Sequence, residues 1–242
     1  MTRFLASVRD PAEADLVLAA GADIVDLKDP AKGALGAVGL ATIKACVASV
    51  AGRVPVSATI GDLPMVADPV TDAVRATAAC GVDYVKLGVM PDGDPQACFT
   101  RLRAERPRPD LILVFFADVM PAFDPVAAAV AAGARGVMLD TAGKQAGSLT
   151  DHMTLAEIDR FVTVARREGL MAGVAGSLRS AHVATLLALQ PDLIGFRGAL
   201  CHGGQRGSRL DPIACSRIRA LIPAEVPRPE AQRQAPRASA MC

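Results

Sequence analysis

A glycine followed at once by an apolar run with charged residues near its end occurs three times in this chain. The copies are Ala20-Gly21-Ala22-Asp23-Ile24-Val25-Asp26-Leu27-Lys28, Cys80-Gly81-Val82-Asp83-Tyr84-Val85-Lys86-Leu87-Gly88 and Ala132-Gly133-Ala134-Arg135-Gly136-Val137-Met138-Leu139-Asp140. Glycine enters a left-handed C-cap without a Cβ penalty, so each copy reads as a helix end running directly into a β-strand. Short β-rich runs separated by longer Ala-rich helical stretches pair in parallel through helical crossovers. About eight such units are present, with strands expected at 3–8, 23–28, 54–60, 83–88, 111–117, 135–140, 170–175 and 192–196. Eight is the number that closes a (β/α)8 TIM barrel, and 242 residues is close to the roughly 250 typical of that α/β fold. The expectation is therefore a single catalytic barrel domain over residues 1–222.

Helices are expected to start at Asp10-Pro11, Asp68-Pro69, Asp94-Pro95 and Asp124-Pro125, where aspartate caps free amides and proline takes the first helical position. From Pro223 onward Pro, Ala, Arg and Gln replace apolar periodicity, so 223–242 reads as a disordered tail dispensable for chemistry.

Composition narrows the function. The net charge of +1 and the scarcity of aromatics argue against nucleic acid as a partner. The chain is 51% hydrophobic, with a mean hydropathy of +0.32, yet no uncharged apolar run approaches the roughly 20 residues that cross a bilayer. No apolar signal core follows Met1, so a cytoplasmic protein without a membrane role is expected. Six scattered cysteines and three separated histidines show no metal-ligand spacing, and no metal site is expected.

Strand side chains alternate faces. Counting from each glycine places Asp26 and Lys86 at one inward level and Lys28 and Asp140 at the next, while Val25, Leu27, Val85, Leu87, Val137 and Leu139 face outward. Four charged groups then converge on the barrel mouth. A lysine there loses hydration and is repelled by a second lysine; both effects lower its pKa toward the neutral amine that attacks carbonyls. Asp26 and Asp140 balance the remaining charge and carry protons. The competing reading is an inert network of ion pairs. A third lysine, Lys144, sits in the glycine-bearing loop that follows Asp140, where this fold commonly holds function. Lys44 reads as a surface charge on a helix, whereas the loop residue Lys32 stays open. Ser57 and Thr59 share a strand face, and Asp118 ends the fifth strand; these read more readily as barrel filling than as chemistry.

Gly173, Gly176 and Ser177 follow the seventh strand, and Arg197 and Gly198 follow the eighth, the two loops where barrels commonly hold phosphate. Glycines let amides approach the anion, a helix N-terminus starting near Ser177 favours it, and Arg197 adds a charged fork. Plain tight turns are the alternative for the glycines. His202, Gly203, Gly204, Arg206 and Arg209 lie in a further glycine-rich stretch that reads as mobile rather than as part of this site.

The segments Gly21 to Gly36, Tyr84 to Gly88, Leu139 to Lys144, Gly173 to Leu178 and Gly195 to Gly198 together resemble the (5-formylfuran-3-yl)methyl phosphate synthases of methanofuran biosynthesis. The resemblance covers nearly the whole chain apart from the tail. It departs at Leu5-Ala6-Ser7-Val8-Arg9-Asp10, where the family pattern has a Pro and an Asn. The resemblance implies a lyase that condenses two molecules of glyceraldehyde 3-phosphate, with loss of phosphate and water and without metal or organic cofactor. It further implies a Schiff base on Lys28, general acid/base work by Lys86, and support of proton transfer and phosphate elimination by Asp26, Asp140 and Lys144. A homo-oligomer is expected, though no stretch of sequence marks its interface. The alternatives are another Schiff-base aldolase or isomerase of sugar phosphates, and a non-catalytic barrel that binds a phosphorylated metabolite.

Overall fold

All eight expected strands form in the computed structural model, which describes residues 1–105, 110–143 and 147–223. They are β1 (Arg3–Val8), β2 (Ile24–Leu27), β3 (Val56–Thr59), β4 (Tyr84–Gly88), β5 (Asp110–Phe116), β6 (Gly136–Asp140), β7 (Met171–Val174) and β8 (Leu193–Phe196). Each pairs in parallel with its sequence neighbours, and β8 returns to β1, closing the barrel. The helices around it are α1 (Pro11–Ala19), α2 (Leu40–Val50), α3 (Ala67–Ala78), α4 (Pro95–Glu105), α5 (Pro125–Ala132), α6 (Leu149–His152), α7 (Leu155–Arg167), α8 (Ser180–Ala188) and α9 (Pro212–Leu221). Among the described residues no helix is long and apolar enough to cross a membrane. Lys144 and the tail beyond Pro223 lie outside the described residues.

The glycines that define the repeat take the conformation their position requires. Gly21, Gly81 and Gly133 have φ of 84°, 86° and 68°, so each helix can turn abruptly into its strand. Asp10 and Asp124 cap α1 and α5 as expected, and Asp94 accepts from the amide of Ala97 at 3.0 Å in α4. Asp68 does not follow suit, because α3 starts earlier, at Ala67, with Val66 at its N-cap. Pro69 is tolerated in that first turn because the leading amides of a helix have no intrahelical acceptor. Asp211-Pro212 repeats the signal and caps α9, a start the sequence reading did not include.

Alternation divides the apolar residues into two cores. Val25, Leu27, Val85, Leu87, Val137 and Leu139 pack in the larger cluster with helix residues such as Val17, Ile43 and Val74. Inside the barrel, Leu5, Ile24, Ile112, Val114, Met138 and Leu193 form a second cluster. Gly173 belongs to this interior: a Cβ there would collide with the side chains of Leu193 and Met138. Its lack of a side chain serves packing, and it lies within β7 rather than in the phosphate turn assigned to it from sequence.

Candidate active site

The inward residues become polar toward the carboxyl ends of the strands. Ser7, Asp26 and Ser57 are register neighbours on β1, β2 and β3, and all three are buried. Ser7 Oγ donates to Asp26 Oδ2 at 2.9 Å and Ser57 Oγ to Asp26 Oδ1 at 2.6 Å. Lys86 Nζ on β4 reaches the same Oδ1 at 3.0 Å. One level further along, Lys28 Nζ lies 3.4 Å from Asp140 Oδ2, while Asp140 Oδ1 accepts the Thr141 amide at 2.7 Å. The two levels counted from sequence are thus two stacked lysine–carboxylate pairs. Ser57 is more than barrel filling, and Ser7 brings the atypical end of β1 into the site. Thr59 is bonded to the carbonyls of Leu27 and Gly36 and braces the strand ends.

Asp26 is fully buried, and burial alone would raise its pKa; the charges of Lys86 and Lys28, with hydrogen bonds from Ser57 and Lys86, outweigh that and hold it below the usual carboxylate range. A depressed carboxylate pKa contributes stability that is complete above the ordinary value of about 3.9 and is lost as pH falls through the folded value. The thermal midpoint of the wild type should therefore fall more steeply than that of Asp26→Asn below about pH 4. Parallel acid limbs in the two melting profiles would remove this role.

A cavity of about 360 Å³ adjoins the pairs, with Lys28, Lys86 and Asp140 in its lining together with Gly176, Ser177 and Gly198. Gly176 and Ser177 have φ of 103° and 48°, a left-handed turn of the kind that points successive amides into a concavity. Among the described residues, the amides of Gly176, Ser177, Gly198 and Ala199 donate to no backbone carbonyl. All four residues line the cavity, where the β7 and β8 loops meet. The start of α8 expected near Ser177 comes three residues later, at Ser180. A Cβ on Gly176 would lie 2.9 Å from Thr141 Cγ2 and 3.1 Å from the Asp140 carbonyl carbon. Gly176→Ala should accordingly lose about 1–3 kcal/mol of stability and weaken substrate binding. An unchanged melting temperature together with an unchanged KM would contradict this assignment.

Arg197 is placed differently from the sequence expectation. It is buried, and all five of its N–H donors have acceptors within the chain. Nη1 donates to Glu13 Oε2 at 2.5 Å and to the Ser7 carbonyl at 3.1 Å. Nη2 donates to Glu13 Oε1 and the Ser208 carbonyl, and Nε to the Arg206 carbonyl, each at 3.1 Å. The fork assigned to phosphate is occupied by the Glu13 carboxylate, so Arg197 acts by fixing the β8 loop and the end of β1. Glu13 is held below its usual range: burial opposes ionisation, but the hydrogen bonds and charge of Arg197 prevail.

The glycine-rich stretch after β8 is part of the site rather than apart from it. Gly203, Gly204 and Arg206 line the cavity, carried there by the bonds from Arg197 to the loop carbonyls. Asp118 is not in the cavity lining; it accepts the amides of Ala142 at 2.8 Å and Gly143 at 2.5 Å and fixes the start of the loop after β6. Lys32 is exposed, 3.4 Å from Asp29, and Lys44 is exposed on α2.

Comparison with known proteins is concordant across most of the chain. Residues 4–219 match the family described as 4-HFC-P synthase. A protein of Methylorubrum extorquens is 40% identical over 98% of this chain and 94% of its own length. The (5-formylfuran-3-yl)methyl phosphate synthase of Archaeoglobus fulgidus is 35% identical over 83% of this chain and 91% of its own. Among solved structures, 3-hexulose-6-phosphate synthase of Salmonella typhimurium superposes with a TM-score of 0.61 at 16% identity, covering 90% of this chain and 99% of its own, a likeness of fold.

Proposed function

Because this chain belongs to the 4-HFC-P synthase family, the (5-formylfuran-3-yl)methyl phosphate synthases, we propose that it condenses two molecules of glyceraldehyde 3-phosphate through an imine on Lys28. The observation that carries this reading is the pair of stacked ion pairs, Lys86–Asp26 beneath Lys28–Asp140, opening onto one cavity that Gly176, Ser177, Gly198 and Ala199 also line; in this reading the amides of those four residues are its anion cradle.

Each group then has a task set by its position. Asp140 takes the ammonium proton of Lys28, and the freed amine attacks the carbonyl carbon of one triose. Loss of water gives a protonated imine, which withdraws electrons from the adjacent carbon and acidifies its C–H bond. Lys86, held by Asp26 and left neutral once its ammonium proton has gone out with that water, accepts the proton; the enamine expels phosphate from the next carbon, the methylene carbon of the resulting enol bonds to the central carbonyl carbon of the second triose in its ketose form, reached by proton transfer between its first two carbons, and Lys86 returns a proton to the new alkoxide. Ring closure and elimination complete the furan. Atom balance from two trioses to (5-formylfuran-3-yl)methyl phosphate requires release of one phosphate and two waters and no external oxidant. Lys144 is assigned to phosphate elimination on the strength of the resemblance alone. The amides at Gly176, Ser177, Gly198 and Ala199 hold a phosphoryl group throughout, as charge-assisted bonds from backbone dipoles do in other barrels.

The test is a product assay. Wild-type protein with glyceraldehyde 3-phosphate should form the furan aldehyde, read by its absorbance, with one phosphate released per furan. Lys86→Ala should lose about 10²–10⁴-fold in rate while remaining folded. A wild-type rate in that variant would remove Lys86 from the mechanism, and absence of furan from the wild type would overturn the reading.

A further inference from the structure

The buried charged groups at the cavity pair off. Lys28 is matched by Asp140, Lys86 by Asp26 and Arg197 by Glu13. Three further arginines line the cavity with no carboxylate within ion-pair distance among the described residues; Arg179 and Arg217 are exposed, whereas Arg206 is partly buried. Its guanidinium makes one bond, from Nη2 to the Gly33 carbonyl at 2.8 Å, which ties the loop after β8 to the loop after β2. Nε, Nη1 and the second hydrogen of Nη2 have no acceptor among the described residues, so four of its five donors are available. Partial burial of an unneutralised guanidinium is costly unless an anion completes it.

The backbone of Arg206 is anchored as firmly as its head is open. Its carbonyl accepts from Arg197 Nε at 3.1 Å, and its Cβ lies 3.8 Å from where a Cβ on Gly198 would stand. The cation therefore sits on the rim next to the Gly198 side of the cradle, yet is chemically separate from it. One site is built of backbone amides, the other of a planar fork suited to two oxygens of a phosphoryl group.

We infer that Arg206 is a second anion site, distinct from the amide cradle, and that it receives the phosphoryl group of the second triose phosphate. The choice of ligand rests on the synthase reading above; the existence of a second anion site does not. A single cradle cannot hold two phosphoryl groups of like charge, whereas a cradle and a separate guanidinium can hold both within one cavity. Arg206 is then a specificity residue: it selects a phosphorylated partner for the enol and leaves the first imine-forming step to Lys28.

The experiment combines two readouts on wild type and Arg206→Gln, a variant of similar polarity without the charge. Equilibrium dialysis with inorganic phosphate should give two sites per chain in the wild type and one in Arg206→Gln. With glyceraldehyde 3-phosphate and borohydride, Arg206→Gln should still trap an adduct on Lys28, while its KM for furan formation rises roughly tenfold or more, the effect of losing hydrogen bonds from a charged group. Arg206→Lys, which keeps the charge and loses the fork, should fall between the two. Equal phosphate stoichiometry in wild type and Arg206→Gln, or a wild-type KM, overturns the second site. Loss of the Lys28 adduct in folded Arg206→Gln overturns its assignment to the second triose. A change from two phosphate sites to one, in a protein that makes no furan, upholds the anion site and refutes the synthase reading instead.

Discussion

Lys28→Ala is expected to abolish furan formation, with a loss of at least about 10⁴-fold, because the electron sink of the proposed reaction is an imine on that nitrogen and no neighbouring group replaces it. Lys86 cannot substitute, since its Nζ lies 3.0 Å from Asp26 Oδ1, one level below Lys28. The fold should survive, because Lys28 lies at the carboxyl end of β2, beyond Leu27, and the apolar clusters inside and outside the barrel do not include it. The measurement is initial rate by furan absorbance beside a thermal melt. Residual activity within tenfold of wild type would exclude Lys28 as the covalent residue.

Asp26→Ala should have the largest effect on stability. Asp26 is buried at 0% exposure and accepts from Ser7, Ser57 and Lys86 at once. Its removal leaves the Lys86 ammonium at 3% exposure without its carboxylate, and two buried hydroxyls without their acceptor. Breaking a buried pair from one side costs about 3–5 kcal/mol, a large part of a typical folding free energy of roughly 5–15 kcal/mol. The double change Asp26→Ala with Lys86→Met should recover part of that loss, since it removes the stranded charge as well. Denaturant titration of the single and double variants checks this; a double variant no more stable than the single one would mean that the cost lies in the hydroxyls rather than the lysine.

Most of the barrel was legible because its signals are local. Gly21, Gly81 and Gly133 mark helix ends by their own backbone requirement, and strand alternation from those points puts Asp26 with Lys86 and Lys28 with Asp140 before any contact is known. What sequence reading missed depends on distant partners. The carboxylate that takes up Arg197 is Glu13, 184 positions away, so nothing near Arg197 signals that its fork is occupied. Arg206 follows the same logic, since the bonds from Arg197 hold its loop against the cavity and glycine content alone suggested mobility. Gly173 and Gly176 are close in sequence, but only Gly176 has a left-handed φ; Gly173 answers to Met138 and Leu193 inside the barrel. Asp68-Pro69 has the form of a helix start, but Val66 and Ala67 are already placed to begin α3.

The central claim is the covalent role of Lys28, and borohydride trapping reaches it most directly. Purified protein is incubated with glyceraldehyde 3-phosphate and borohydride, digested, and the peptides are read by mass spectrometry, with furan absorbance and phosphate release followed in a parallel sample without reductant. The account predicts a substrate-derived secondary amine on the peptide carrying Lys28, together with furan and phosphate in the unreduced sample. Furan formation by folded protein with no adduct on Lys28, or with the adduct on another lysine, would contradict it.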